Sequence, residues 1–523
     1  MSDTKSSSGA APSASPGSTP AGSDPNDAAV ADATAHRLSG NLGTVSLVLS
    51  VLAFSAPIVT VAGYTSFVIG FVGQAAPLAW VLATITLAIF AVGYTTMTRH
   101  IPRPGAFYAY ISLGVGRVAG VGAAFLATIS YILININIYC FSGVTIAALI
   151  EGFGGPETPW WIWTAIGWVV VTSLAHFHIE LSAKVLGAVM VLEVILVLIF
   201  NIFILGKGGA SGLSAAPLNP SLFLGAGTGL ALLFALGNFI GFEATTLYRD
   251  EVRNPNKTIP RATYVAVVAI GLFYALSAYS MVTAFGSNAV TEAKGTPGTM
   301  FSDALTTYVT PALNNVALVL VATSALASVL STHNVAARYL HNLSADHALP
   351  SFLSAVHPKH TSPYKASFAN AVIVGGILVV LALAGADPSL IIGGGSGIGT
   401  AGVLILMALV SLAVLLYFAR TGRPAGESRW KVFVAPAVSV LILGGVVVTA
   451  VLHFELLVGG DPGQRLWMLL VLVVVLVAGC LVALYFRKNK PQWYAMLGRA
   501  EADLIAPGRE GEDAQFTVPM GSA

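Results

Sequence analysis

Two glutamates stand where acids are rare. Glu193 lies in Val191-Leu192-Glu193-Val194-Ile195, and Glu243 in FALGNFIGFEAT, residues 234–245. Both sit inside long apolar runs. A charge at membrane depth is costly, so a carboxylate there marks an ion or proton pathway by default. Such a group can exchange a proton, help hold a cation, or serve as a hydrogen-bonded anchor. FALGNFIGFEAT also contains Gly237, Asn238 and Gly241, which loosen a backbone and offer it hydrogen bonds. An earlier apolar run reads Ser55-Ala56-Pro57-Ile58-Val59-Thr60-Val61. Pro57 removes a backbone donor and clashes with the preceding turn. Tyr131 and Asn135 are four apart and share one helix face, whereas Asn137 lies about 200° from Asn135. Ser328, Ser331 and Thr332 are hydroxyls suited either to a cation site or to packing between membrane helices. His333 beside them suits a proton relay or a bundle hydrogen bond.

The elements that must position these groups are membrane helices. The 523-residue chain is 56% hydrophobic and 9% charged, with a mean hydropathy of +0.81. Soluble domains carry about 25% charged residues. Cys140 and Cys480 both fall in apolar runs and are expected as small buried hydrophobes rather than a disulfide. No phosphate loop, His-Glu metal motif or Gly-x-Ser-x-Gly elbow stands at a credible place. The chain is therefore not expected to be an enzyme, and no cofactor, bound metal or nucleic acid is expected. The Ser/Ala/Gly/Pro-rich stretch 1–40 has the composition of a disordered tail. No basic region leads into an apolar core there, as a cleaved signal would require.

A helix needs about 20 apolar residues to cross the hydrocarbon. About twelve runs qualify, near 43–71, 76–98, 119–150, 160–178, 182–205, 222–248, 262–286, 312–342, 366–385, 390–419, 432–454 and 466–487. With the N-terminus inside, 22 Lys and Arg fall in inside segments and three, Lys207, Lys294 and Arg465, outside. Cytoplasmic loops carry that excess, so both termini are expected in the cytoplasm. The first and sixth runs each contain a breaker, and they are equivalent if the chain is two five-helix halves. Paired interrupted helices in corresponding positions point to a transporter site. The half-helix after each break exposes N–H groups at a positive dipole end, where an amino-acid carboxylate fits.

Longer motifs carry a family resemblance. Gly241-Phe242-Glu243, then Asp250-Glu251-Val252-Arg253-Asn254-Pro255 and Ile259-Pro260-Arg261-Ala262, resemble the sixth-helix signature of amino-acid permeases. Pro102-Arg103-Pro104-Gly105-Ala106-Phe107-Tyr108-Ala109-Tyr110 resembles their segment before helix three. Ala337-Arg338 with Asp346-His347-Ala348-Leu349-Pro350 resembles the end of their helix eight. These permeases belong to the amino acid–polyamine–organocation superfamily, and the resemblance runs from about residue 40 to 487.

The resemblance implies an all-α integral membrane protein of the LeuT type, with two inverted five-helix repeats plus two trailing helices. The boundaries follow: tail 1–40, first repeat 41–205, second repeat 206–420, trailing helices 421–487 and cytoplasmic tail 488–523. It implies secondary transport by alternating access. Val59-Thr60-Val61 match the family's Gly-Ser-Gly type stretch, which holds the substrate carboxylate; the glycines are absent here. Pro57 and Ile58 precede that stretch, and Thr60 supplies a hydroxyl. Gly237 stands where several exchangers carry an aromatic gate. That leaves Phe239 or Phe234 to cover the substrate, or a roomier pocket for a bulky side chain. Tyr131 and Asn135 match pocket-lining positions. Glu243 matches a proton-linked or structural glutamate. Glu193 matches a place where some proton-coupled members carry a lysine, at the site of sodium in sodium-coupled cousins. Ser328, Ser331 and Thr332 lie on the helix that completes that sodium site.

The expectation is an amino-acid transporter of the plasma membrane, with proton-coupled symport. A polyamine or amine carrier, an exchanger and a transport-dead sensor are the alternatives. The partners expected are the substrate, the bilayer and a coupling proton or sodium ion. Arg338 and Asp346, with Arg249, Asp250, Glu251 and Arg253, form either an inner gate or a solvated basic face.

Overall fold

The computed structural model describes residues 43–100, 106–177, 179–246, 252, 254–357, 362–458, 461, 463 and 465–497. Both tails, Pro102 to Gly105, Arg249 to Glu251 and Arg253 lie outside the described residues. The described chain is helical, with no strand. Nine of its helical stretches are long and apolar enough to cross a membrane. Helices suit lipid because each satisfies its own backbone groups.

Two of the apolar runs are not single helices. Run 43–71 divides into α1 (Thr44–Ser55) and α2, a half-helix over 57–72. Ala56 joins them at φ 43°, ψ 73°. Pro57 disfavours the right-handed region for the residue before it. Ala56 takes the left-handed region instead, which costs a non-glycine residue about 1–2 kcal/mol. A π-turn over Thr60–Tyr64 adds a second irregularity, with the Thr65 N–H donating to Thr60 O. The helices α3 (Ala76–His100), α4 (Ala106–Gly114), α5 (Arg117–Gly152), α6 (Trp160–Phe177) and α7 (Ile179–Lys207) follow.

Run 222–248 divides as well. Its regular helix, α8, covers only Thr228–Gly237. Beyond it the N–H groups of Phe239 and Ile240 reach back three residues, to Leu236 O and Gly237 O. Gly241 turns the chain at φ 112°, a value that L side chains rarely adopt. A 3-10 segment, Phe242–Thr246, resumes the path. The remaining long helices are α9 (Pro255–Phe285), α10 (Pro311–Ala345), α11 (Tyr364–Leu383), α12 (Pro388–Thr421), α13 (Ala435–Leu452) and α14 (Leu470–Asn489).

Helix α5 is the hub, packed on α12, α10, α14 and α6. In lipid no hydrophobic force draws helices together, so close packing and small residues must. The sequence IIGGGSGIGTAG of α12 supplies them. A Cβ at Gly395 would lie 3.0 Å from Asn137 Cβ, one at Gly399 2.9 Å from Ser130 O, and one at Gly402 2.0 Å from Ser130 Oγ. These three residues let the two helices meet backbone to backbone. Cys140 and Cys480 are both free.

Candidate functional site

The two breaks face one another across a small cavity of about 60 Å³. The first break gives Ser55, Ala56, Val59, Thr60 and Tyr64 to its wall, and the second Phe234, Gly237, Asn238 and Ile240. Ile134, Asn137 and Ile138 come from α5, Ser328 and Thr332 from α10, and Ser396 and Thr400 from α12. No wall side chain is charged. The breaks are tied directly: Thr60 Oγ1 lies 3.1 Å from Asn238 Oδ1, to which it donates, and 3.3 Å from Ser55 O. Asn238 Nδ2 donates to Phe234 O at 2.8 Å. Asn137 Nδ2 donates to Tyr64 Oη at 3.2 Å. Asn137 Oδ1 is buried without a protein partner, so this wall keeps one strong acceptor in hand.

Glu193 and Glu243 stand behind the wall rather than on it. Glu193, on α7, is 2% exposed. Its Oε2 accepts the N–H of Ile58 at 3.4 Å, and Ser324 of α10 bonds it too. Pro57 has no N–H to give, so Ile58 is the first donor of half-helix α2. The protein's own carboxylate thus occupies the positive end of that half-helix. Glu243 is equally buried. Its Oε2 accepts the Gly241 N–H at 2.8 Å, its Oε1 accepts the Tyr131 hydroxyl, and its backbone O accepts Tyr94 Oη at 3.0 Å. Glu243 therefore staples the second break to itself, to α5 and to α3.

Of the residues singled out in the sequence, Val59, Thr60, Gly237, Asn238, Ser328 and Thr332 line the cavity together. Pro57, Ile58, Val61, Phe239, Gly241 and Ser331 do not. Pro57 and Gly241 shape the breaks, and Phe239 packs on Tyr274, with ring centroids 6.1 Å apart. Tyr131 and Asn135 share a face, as their spacing requires, but that face is turned from the cavity. Tyr131 binds Glu243 and stacks on Tyr339 at 5.6 Å. Asn135 Nδ2 donates to Val329 O at 3.0 Å and Thr332 Oγ1 at 2.7 Å. Asn137, nearly opposite Asn135 on the helix, takes the wall in their place. Tyr64, Ser396 and Thr400 escaped sequence reading; no local signal separates them from other polar residues of membrane helices.

The space at Gly237 that the roomier-pocket alternative would use is taken by Thr400. A Cβ there would meet Thr400 Cγ2 and Oγ1, each at 2.9 Å. Phe234, not Phe239, covers the cavity. Its ring lies 6.1 Å from Tyr64, 5.8 Å from Phe67 and 5.6 Å from Phe71. Beyond this septum Phe67 and Phe71 line a second cavity of about 590 Å³, with Phe223, Leu224 and Lys294.

Two hydroxyls of α10 turn inward on their own helix. Thr332 Oγ1 donates to Ser328 O and Val329 O, both at 2.9 Å, and Ser331 Oγ to Ala327 O at 3.1 Å. His333 is clamped to α11: Asn370 Nδ2 donates to its Nδ1 at 3.0 Å, and Ser367 Oγ lies 2.8 Å from its Nε2. Asp346 accepts the hydroxyl of Tyr108, which ties the end of α10 to α4.

Similarity to known proteins runs along the same frame. An uncharacterised transporter of Mycobacterium tuberculosis is 26% identical over 262 residues, 43% of this chain and 51% of that protein. An uncharacterised transporter of Mycobacterium bovis is 30% identical over 186 residues, 36% of this chain and 39% of that protein. The chain thus spans about half or less of these mycobacterial relatives. The low-affinity putrescine importer PlaP of Escherichia coli is 22% identical over 352 residues, 66% of this chain and 74% of the importer. The amino acid permease family matches residues 48–495, which takes in both broken helices, the hub helix α5 and the glycine face of α12. The chain is a multi-pass membrane protein and belongs to the amino acid permease family.

Proposed function

We propose that the protein is a secondary transporter of amino acids in the plasma membrane, working by alternating access and coupled to protons. One observation carries this reading. Two interrupted helices meet at an uncharged cavity, and a buried carboxylate holds the first N–H of one of them. Backbone groups freed at such breaks bind the two ends of a zwitterion. The substrate carboxylate is drawn to the start of α2, and its ammonium to Asn137 Oδ1 and the carbonyls of the second break. Glu193, behind the wall, and that carboxylate, in the cavity, then compete for the positive start of α2. A proton on Glu193 removes its charge and releases the site, so proton and substrate load together. Loss of the proton restores the competition and favours release.

The inverted repeats 41–205 and 206–420, with 421–487 trailing, belong to this reading, since each repeat then carries one break. So does a cytoplasmic location for both termini, which the Lys and Arg bias supports. In that orientation the Phe234 septum and the 590 Å³ cavity face outward. Glu243 is the second acid available for coupling. Ser328, Ser331 and Thr332 are the groups available to a sodium ion.

The relative PlaP favours a second reading, a carrier of putrescine or another amine. A dication needs carboxylates, and the wall holds none. Uptake into proteoliposomes decides between the two. Pooled labelled amino acids are expected to accumulate under an inward proton gradient in sodium-free buffer. Accumulation of putrescine alone makes the protein an amine carrier, and flux only with substrate on both sides makes it an exchanger. Binding without flux makes it a sensor.

Thr60 gives a sharper check on the site. Thr60→Val keeps the shape and deletes the hydroxyl that bridges the breaks. The expected result is a KM raised about tenfold, the equivalent of one hydrogen bond of about 1.4 kcal/mol. A KM within twofold of the parent would confine the hydroxyl to its bond with Ser55 O.

A further inference from the structure

Gly237 leaves a gap in α8 that another helix fills. The Thr400 side chain of α12 occupies the place a side chain at 237 would take: a Cβ on Gly237 would lie 2.9 Å from both its Cγ2 and Oγ1. Thr400 and Gly237 border the cavity together. Thr400 is only 5% exposed, so its neighbours hold it. Its backbone is held as well. Gly399 and Gly402 flank it and press α12 on α5, where a Cβ would lie 2.9 Å from Ser130 O and 2.0 Å from Ser130 Oγ. This wall has no slack in either direction.

The cavity is correspondingly small. Its 60 Å³ is the space open to the centres of water-sized spheres, room for a few waters or one small zwitterion. Its close-packed walls resist each further atom. A hydroxyl on the substrate would find Ser396 and Thr400 at hand. A second charge would find no opposite charge on the wall and would be costly to bury.

We infer that Thr400 sets the upper size limit of the substrate, and that the substrate is an amino acid with a small, uncharged side chain such as glycine, alanine or serine. This rests on the amino-acid reading above and adds the side-chain class to it. One methylene in a tight apolar pocket discriminates about 10- to 200-fold. The three extra carbons of leucine over alanine are expected to cost at least 100-fold in uptake efficiency.

The test is direct uptake of labelled glycine, alanine, serine, leucine, phenylalanine and putrescine into proteoliposomes of the full-length protein. Thr400→Gly and Thr400→Ala follow, each read only as a monodisperse preparation. The small amino acids are expected to be carried and the large ones not. Thr400→Gly is expected to raise the leucine-to-alanine ratio at least tenfold, and Thr400→Ala to raise it less. Leucine or phenylalanine carried by the parent as well as alanine overturns the size limit and leaves the amino-acid reading standing. An unchanged ratio in a folded, active variant overturns the role of Thr400. Putrescine carried without any amino acid overturns both readings. The parent series needs no variant, so a misfolded substitution does not spare the inference.

Discussion

Glu193→Gln is expected to abolish accumulation of substrate while leaving exchange within about threefold of the parent. The substitution is nearly isosteric. A glutamine oxygen still accepts the Ile58 N–H that Glu193 Oε2 accepts at 3.4 Å, and Ser324 still has a partner. What is lost is the charge and the proton that cancels it. A carboxylate at this depth costs about 3 kcal/mol to insert, so its retention calls for a use. If Glu193 competes with the substrate carboxylate for the start of α2, a neutral residue ends the competition in both directions. Substrate then binds and crosses in exchange, but a proton gradient no longer drives it. The readout is the ratio of internal to external substrate under an inward proton gradient, set against counterflow in its absence. The ratio should fall to about one. Full accumulation in a well-expressed Glu193→Gln protein would move coupling to another group, with Glu243 the next to test. Loss of both activities would make Glu193 an anchor of the first break.

The second large effect is expected at Gly399→Val. A Cβ at this position lands 2.7 Å from Ile134 Cγ1 and 2.9 Å from Ser130 O. The first neighbour is a side chain and can shift. The second is backbone of the hub helix and cannot shift without moving α5. Overpacking of a tight interface costs typically 1–3 kcal/mol. Here the same displacement carries Asn137 and Thr400, which sit on the cavity wall from the two helices involved. Transport is expected to fall at least tenfold, together with a lower Tm in detergent. Gly376→Val is the control. Nothing lies within 4 Å of a Cβ on Gly376, and both activity and Tm should hold. Equal tolerance at the two sites would show that α12 and α5 can separate without penalty, against the close packing seen here.

These two expectations differ in how far the sequence alone supports them. A glutamate in Val-Leu-Glu-Val-Ile announces itself, because lipid makes any acid conspicuous. The partner of that glutamate does not. Ile58 is 135 residues away, and its N–H is available only because Pro57 lacks one and Ala56 breaks the helix. The glycines of α12 are just as visible in the sequence, yet small residues pack against many kinds of neighbour. Only the assembled bundle shows that they bring Thr400 into the gap at Gly237.

Tyr131, Asn135 and Asn137 draw the line most clearly. Helical spacing alone put the first two on one face and the third nearly opposite, and they stand that way. Which face meets the cavity depends on the rotation of α5 within the bundle. That rotation is set by its contacts with α10 and α12, distant in sequence. It turned Tyr131 to Glu243 and Asn135 to Thr332, and it brought Asn137 to the wall.

By itself, then, the sequence determined what local chemistry controls. A bilayer forces every spanning segment to satisfy its own backbone, so apolar length marks the helices and proline or glycine marks their breaks. The family motifs follow the same local order along the chain. The tertiary structure decided what contacts between distant segments control: the pairing of the two breaks through Thr60 and Asn238, the seat of Glu193 at the start of α2, and the wall that Thr400 builds. Side chains in a close-packed interior take their partners from whatever the packing brings near, and no spacing along one helix encodes that choice.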